Sequence, residues 1–140
     1  SIVGKLSYLC RNTRPDIEFA VHQCARFQTN PKQAHEKAIK RICRYLLKTR
    51  DKGISIKPSN DLTKLDCYVD ADFAGAYTPS ESHDPTLCRS RTGYVIMYAN
   101  CPVLWASKLQ TEIALSTVEA EYIALSTRLS ELIPMSTLFL

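Results

Sequence analysis

Leu65-Asp66-Cys67-Tyr68-Val69-Asp70-Ala71-Asp72-Phe73-Ala74-Gly75 changes the period of the chain. Leu65, Cys67 and Val69 alternate with Asp66, Tyr68 and Asp70, and a period of two predicts a strand. Successive strand side chains face opposite ways, so Asp70 and Asp72 share one face. Acids on a core-forming strand need a reason. One reading is that the strand has reached its solvated end, since acids are usually exposed. The other is a Mg²⁺ site, because hard cations take carboxylate oxygens. Spacing alone leaves both open.

Toward the C-terminus, Thr78 to Cys88 is a polar loop containing Pro79 and Pro85. Thr92 to Tyr98 is β-branched and aromatic, which predicts a second strand. A third is expected over Val103 to Ser107, behind Pro102. Ser116 or Thr117 then caps a helix expected to end near Ile133, ahead of Pro134. Val118, Tyr122, Leu125, Leu129 and Leu132 form one apolar stripe on that helix, expected to be its buried face. Glu121 falls about 60° from the stripe centre and Glu119 about 100° away on the other side. Glu121 is therefore the acid placed to meet a strand carboxylate, although the helix dipole alone also favours an N-terminal Glu. Cys67 and Val69 are expected to face the core, and Asp70 the first turn of this helix.

Toward the N-terminus, residues 51–64 are turn-rich and read as a linker, with Ile54-Ser55-Ile56 a candidate short strand. Residues 1–50 read as helical. Thr13-Arg14-Pro15-Asp16 stops one helix and starts another. Asn30-Pro31 repeats the device and opens a helix running to about Thr49, with Ala34, Ala38, Ile42 and Tyr45 as its apolar face. Lys37, Arg41, Arg44 and Lys48 form a basic stripe on the same helix. Such a stripe tracks phosphates or is simply solvated. Arg89 and Arg91 read as a small surface cluster.

The fold class is thus mixed α/β, of the α+β kind: a helical segment, then a β-β-β-α unit from residue 65 to 140. The 140 residues are 45% hydrophobic and 23% charged, which excludes a disordered chain. A net charge of +4 is only mildly basic. The 6 cysteines include no C-x-x-C pair, which argues against zinc and for free thiols in a reducing compartment. No apolar run approaches the roughly 20 residues needed to span a bilayer, so no membrane partner is expected. The start, without Met or an apolar signal core, is that expected of an excised internal piece.

Several segments together resemble one family. Leu6-Ser7-Tyr8-Leu9 and Thr13-Arg14-Pro15-Asp16-Ile17 resemble the close of the reverse transcriptase of copia-type retrotransposons, and Arg41 through Leu46 the helix that follows. Asp70-Ala71-Asp72-Phe73-Ala74-Gly75 resembles the first strand of that family's RNase H-like domain, with Phe73 where Trp is usual. Arg91-Thr92-Gly93-Tyr94-Val95, Trp105-Ala106-Ser107-Lys108 and Ala114-Leu115-Ser116-Thr117 with Glu119 through Leu125 are similar to its next strands and helix.

The resemblance implies the end of a reverse transcriptase (residues 1–50) joined to the N-terminal half of an RNase H-like domain (65–140). The parent polyprotein would copy RNA into DNA and cut the RNA strand of RNA–DNA hybrids with two Mg²⁺ ions. Asp70 and Glu121 take the positions of the first two catalytic, metal-binding acids; later acids and the polymerase residues lie outside the chain. The implied partners are an RNA–DNA hybrid and the remainder of the Pol polyprotein, in a cytoplasmic virus-like particle or the nucleus. The competing expectation is a non-catalytic nucleic-acid-binding or scaffold remnant of a decayed or domesticated element.

Overall fold

The computed structural model describes residues 1–77 and 85–139. The chain is mixed α/β, with four α-helices and a three-stranded antiparallel sheet among the described residues. It divides into two compact units, Ser1–Ser55 and Ile56–Leu140.

The first unit is helical: α1 (Ile2–Asn12), a 3-10 turn at Pro15–Ile17, α2 (Glu18–Ala25) and α3 (Gln33–Lys48). Its core gathers Leu6, Cys10, Ile17, Val21, Cys24 and Ile42, with Ile39 and Leu46 packed against them. The face of α3 that packs is therefore not the one expected. Ala34 and Ala38 are exposed, and Tyr45 is largely so, while Ile39, Ile42 and Leu46 turn inward. On α3 the face with Ile39, Ile42 and Leu46 buries more apolar area than the face with the two alanines would. α3 also starts later than Asn30-Pro31 suggests. Its entry is held by the Lys32 N–H donating to His35 Nδ1 at 2.9 Å, with the His35 ring stacked on Phe27 at 4.2 Å.

Thr13-Arg14-Pro15-Asp16 does more than end one helix and begin another. The buried Arg14 guanidinium grips both Asp16 oxygens, from Nε at 3.0 Å and Nη2 at 2.8 Å. It also donates to the Thr49 carbonyl at 2.9 Å and the Thr49 hydroxyl at 2.7 Å, closing the C-terminal end of α3. The Tyr45 hydroxyl donates to Asp16 at 2.7 Å. One side chain thus joins the 3-10 turn to the far end of α3.

The second unit carries β1 (Leu65–Asp72), β2 (Arg91–Tyr98), β3 (Cys101–Leu109) and α4 (Thr117–Phe139), in the sheet order β1-β2-β3. β2 and β3 join through Ala99-Asn100, both at positive φ (48° and 65°), the pairing that a two-residue hairpin with right-handed twist requires. β3 begins earlier than expected and includes Pro102, which is tolerated because β3 is an edge strand and the register slips at Ile96/Met97. Ile54-Ser55-Ile56 is not a strand. The stretch is anchored instead by Ser59 N–H donating to the Ala99 carbonyl at 2.8 Å, and Ala99 N–H donating to the Lys64 carbonyl at 2.9 Å. Arg91 is buried and donates to the Ser107 carbonyl at 3.2 Å, so it braces the hairpin rather than joining a solvated cluster. Most of the polar loop expected at Thr78–Cys88 lies outside the described residues; Pro85–Cys88 form a 3-10 turn.

α4 departs from the sequence reading twice. It continues through Pro134 to Phe139. A proline disfavours the helix interior by about 3 kcal/mol but does not forbid it. Second, the expected buried stripe is outside: Val118 is 62% exposed, Tyr122 68%, Leu125 45% and Leu129 41%. The face against the sheet is Ala120, Ala124 and Arg128, the two alanines fully buried. Their small side chains let the helix lie close on β1 and β2, which larger knobs would prevent. Arg128 fits there because its guanidinium lies over the Tyr94 ring at 4.2 Å and pairs with Glu131 at 2.8 Å.

Candidate functional site

β1 alternates, and its helix side is known from its neighbours. Cys67 and Val69 pair with Ile96 and Tyr94, and Tyr94 is the ring beneath Arg128 on α4. Cys67 and Val69 therefore face α4, while Asp70 and Asp72 turn to the opposite face. This corrects the expectation that Asp70 points at the first turn of α4. That expectation took the acid and the helix to be on one side, and the register sets them on two. Asp70 is exposed and pairs across the strand with Gly93, where an added Cβ would meet nothing within 4 Å. The surface beside Asp70 is thus bare.

Asp72 is exposed as well, and its carboxylate lies against Gly75 in the turn after β1, where an added Cβ would push it aside. That turn is held by Tyr77 N–H donating to the Ala74 carbonyl at 2.9 Å.

The two glutamates of α4 separate cleanly. Ser116 Oγ accepts from Glu119 N–H at 3.1 Å, and a Glu119 oxygen reaches back to the Leu115 N–H at 2.6 Å. Glu119 is the acid of an N-terminal cap. Glu121 has no such duty: among the described residues neither its carboxylate nor that of Asp70 takes part in a hydrogen bond or ion pair. It lines an open groove of about 450 Å³ with Val69, Val118, Tyr122 and Leu125. Sequence reasoning prefers Glu121 from a stripe that proves to be exposed; the structure supplies a different reason, that Glu119 is already used. Replacing Glu119 with Ala is expected to cost about 1 kcal/mol of stability, and Glu121→Ala nearly nothing, read from thermal unfolding of the two variants. Equal losses would refute the division of labour.

The acids nevertheless share one end of the unit. Gln110 Nε2 donates to the Thr92 hydroxyl at 3.1 Å and to the Ala120 carbonyl at 2.8 Å, and Thr92 pairs with Ala71. The first turns of α4 are thereby tied to the strand end that carries Asp70. Carboxylate oxygens are chemically right for Mg²⁺, but their number is short. Among the described residues no three His, Cys, Asp or Glu side chains gather closely enough to hold a metal ion.

Lys37, Arg41, Arg44 and Lys48 are all exposed on α3. The one acid on that helix, Glu36, is taken by Lys40 at 2.6 Å and does not neutralise the stripe. Measured from the Ile39–Ile42–Leu46 face, the stripe lies roughly 130–190° round the helix, opposite the core rather than flanking it. Thiol chemistry finds little footing. Burial and the neighbouring Glu18 push the Cys10 thiol up to about 12, and burial raises Cys24 and Cys67. All six cysteines are unbridged. Among the described residues no helix is long and apolar enough to cross a membrane.

The residues that sequence reasoning missed are structural: Arg14, Gln110 and Arg128. Arg128 had one visible signal, a lone cation within an otherwise uncharged helical run from Tyr122 to Ser130.

No protein-family model matches the chain, and no solved structure does. Curated relatives do. The chain is 40% identical over 131 residues to the retrovirus-related Pol polyprotein from transposon RE1 of Arabidopsis thaliana, covering 94% of this chain and 8% of that protein. It is 41% identical over 133 residues to the corresponding polyprotein from transposon TNT 1-94 of Nicotiana tabacum, covering 95% and 9%. It is 38% identical over 131 residues to the secreted RxLR effector protein 161 of Plasmopara viticola, covering 94% of this chain and 86% of that one. The chain therefore spans under a tenth of the Pol polyproteins and most of the effector.

Proposed function

We propose a function from one premise: this chain belongs to the copia-type retrotransposon Pol family. It is the segment that joins the end of the reverse transcriptase to the first half of an RNase H-like nuclease. Residues 65–140 contribute Asp70 and Glu121 to hydrolysis of the RNA strand of an RNA–DNA hybrid, and the basic face of α3 contributes phosphate contacts. Mg²⁺, when bound, supplies the charge that activates water and stabilises the leaving oxygen. The chain's own part is to offer two unengaged carboxylates, Asp70 from the sheet face away from α4 and Glu121 from α4 itself; further ligands, and the contact that brings the two acids to one site, come from other segments of the polyprotein. The observation that carries this reading is the split between the α4 glutamates, with Glu119 spent on the cap and Glu121 left over.

The second reading, a non-catalytic remnant, is favoured by the effector relative, a separately named protein of which this chain spans 86%. Hybrid binding bears on the first reading. The chain is expected to bind a labelled RNA–DNA hybrid with an affinity that falls as salt rises. Replacing Arg41 and Arg44 with Ala should weaken binding at every sequence alike and lower the log–log salt slope by about 2. An unchanged slope in fluorescence anisotropy returns the stripe to a solvated face.

A further inference from the structure

We infer that the groove between α2 and α3 takes an unpaired nucleobase, stacked on Tyr45, while the basic stripe of α3 holds the phosphates of the same strand. The inference rests on the phosphate-binding reading of that stripe and adds to it a place for the base.

The groove holds about 570 Å³ and lies wholly within the helical unit. Its floor is apolar, with Ile17 and Ala20 on one wall and Ala38 and Ile42 on the other. Helical geometry sets it beside the stripe. Arg41, Tyr45, Ala38 and Ile42 follow one another round α3 over an arc of about 100°. The arc begins at Arg41, a member of the stripe, and ends at Ile42 in the core. A phosphate on Arg41 therefore delivers its own base to the groove mouth.

Tyr45 supplies the platform, its side exposed by 42%. Its hydroxyl is pinned to Asp16 at 2.7 Å, and the Arg14 guanidinium backs the ring at 5.6 Å from its centre. A ring fixed before binding loses little freedom when a base stacks on it. Every base has a π face, so such stacking tolerates any sequence, as a phosphate-tracking stripe does. A base inside a duplex is already stacked on both faces, so the groove asks for one that is unpaired.

Charge agrees with an anionic strand. The acid at the groove is Asp16, and both its oxygens are held, one by Arg14 Nε and the other by Arg14 Nη2 and the Tyr45 hydroxyl. The one acid on α3, Glu36, is paired with Lys40. Neither is left bare in the path of a phosphate. The stripe from Lys37 to Lys48 runs for about 16 Å along the helix, more than the phosphate of one free nucleotide needs, which selects a strand.

The test gives the intact chain two strands with identical phosphates: oligodeoxythymidylate of about 12 nucleotides and its abasic counterpart, compared by fluorescence anisotropy. Wild type is expected to bind the base-bearing strand about 10-fold more tightly, or better. Ala38→Leu, which fills the groove with a residue that suits a helix, should bring that ratio close to one. Tyr45→Leu should do the same by removing the ring, with folding of both variants checked by far-UV circular dichroism. Arg44→Ala should weaken both strands alike and keep the ratio. Equal wild-type affinity for the two strands overturns the inference and leaves the phosphate reading standing. Failure to bind either strand overturns both. A ratio that survives in the folded groove variants overturns the assignment to this groove. Full displacement of the strand by equimolar thymidine monophosphate overturns the choice of a strand over a free nucleotide.

Discussion

A chimera in which this chain continues into the sequence following the matched segment of the TNT 1-94 polyprotein is expected to cleave the RNA strand of a hybrid in Mg²⁺. The chain by itself is expected not to. The argument is a count of ligands. Mg²⁺ demands near-octahedral oxygen coordination and dehydrates reluctantly, so two carboxylates hold it loosely. In-line displacement between two ions asks for ligands around both. Here Asp70 lies on the sheet face away from α4 and Glu121 on α4, and among the described residues no three acids, histidines or cysteines gather to hold a metal ion. Asp72 sits on the same face as Asp70, and Glu119 is taken by its cap. In the chimera, Asp70→Asn or Glu121→Gln should each lower the cleavage rate by about 100- to 1000-fold, the size seen when one preorganised electrostatic partner of a transition state is removed. Hybrid affinity should hardly change, because the basic face of α3 is untouched. Robust cleavage by the short chain, abolished by Asp70→Asn, would overturn the ligand count. An inactive chimera that binds hybrid would favour the non-catalytic reading.

Arg14→Ala is expected to destabilise the helical unit by about 3 kcal/mol. The guanidinium side chain is 7% exposed, and its removal takes two donors from the Asp16 carboxylate, leaving it the Tyr45 hydroxyl, and takes one from the Thr49 carbonyl, leaving it the Lys52 N–H. Arg14→Lys should recover only part of the loss, since an ammonium cannot grip two carboxylate oxygens and a carbonyl at fixed angles. The same contact predicts an acid signature. Hydrogen bonding from Arg14 is the main cause that holds Asp16 down at about 2, with burial opposing it and Tyr45 assisting. The unfolded chain titrates this group near 3.9. Because the folded value is depressed, the stabilisation is fully present above about pH 4 and is lost as pH falls toward 2. Asp16 is 37% exposed, so after screening the pH-dependent part is on the order of 1 kcal/mol. Denaturant titrations of wild type and Arg14→Ala between pH 2 and 5 check both points: the slope with pH should flatten in the variant. A variant as stable as wild type at pH 7 would return Arg14 to the surface.

Local chemistry determined much of this molecule. The switch from helical periods to a period of two at Leu65, the breaks at Thr13-Arg14-Pro15-Asp16 and the start of α4 after Ser116 are all legible. Each depends on side chains and backbone dihedrals within a few residues. The identity of Asp70 and Glu121 as candidates was legible for the same reason, together with colinear likeness to a family. What only the tertiary structure decided is which side of each element meets its neighbour. α3 buries Ile39, Ile42 and Leu46 rather than Ala34 and Ala38, and α4 buries Ala120, Ala124 and Arg128 rather than its leucines. Periodicity reports that a helix has an apolar stripe but not what lies against it. On α4 the larger stripe is the louder in sequence, while the smaller one is pressed on its own sheet. The face of the sheet that Asp70 takes is of the same kind: it follows from the pairing of Val69 with Tyr94 beneath Arg128, a register set across strands that no single stretch of sequence contains.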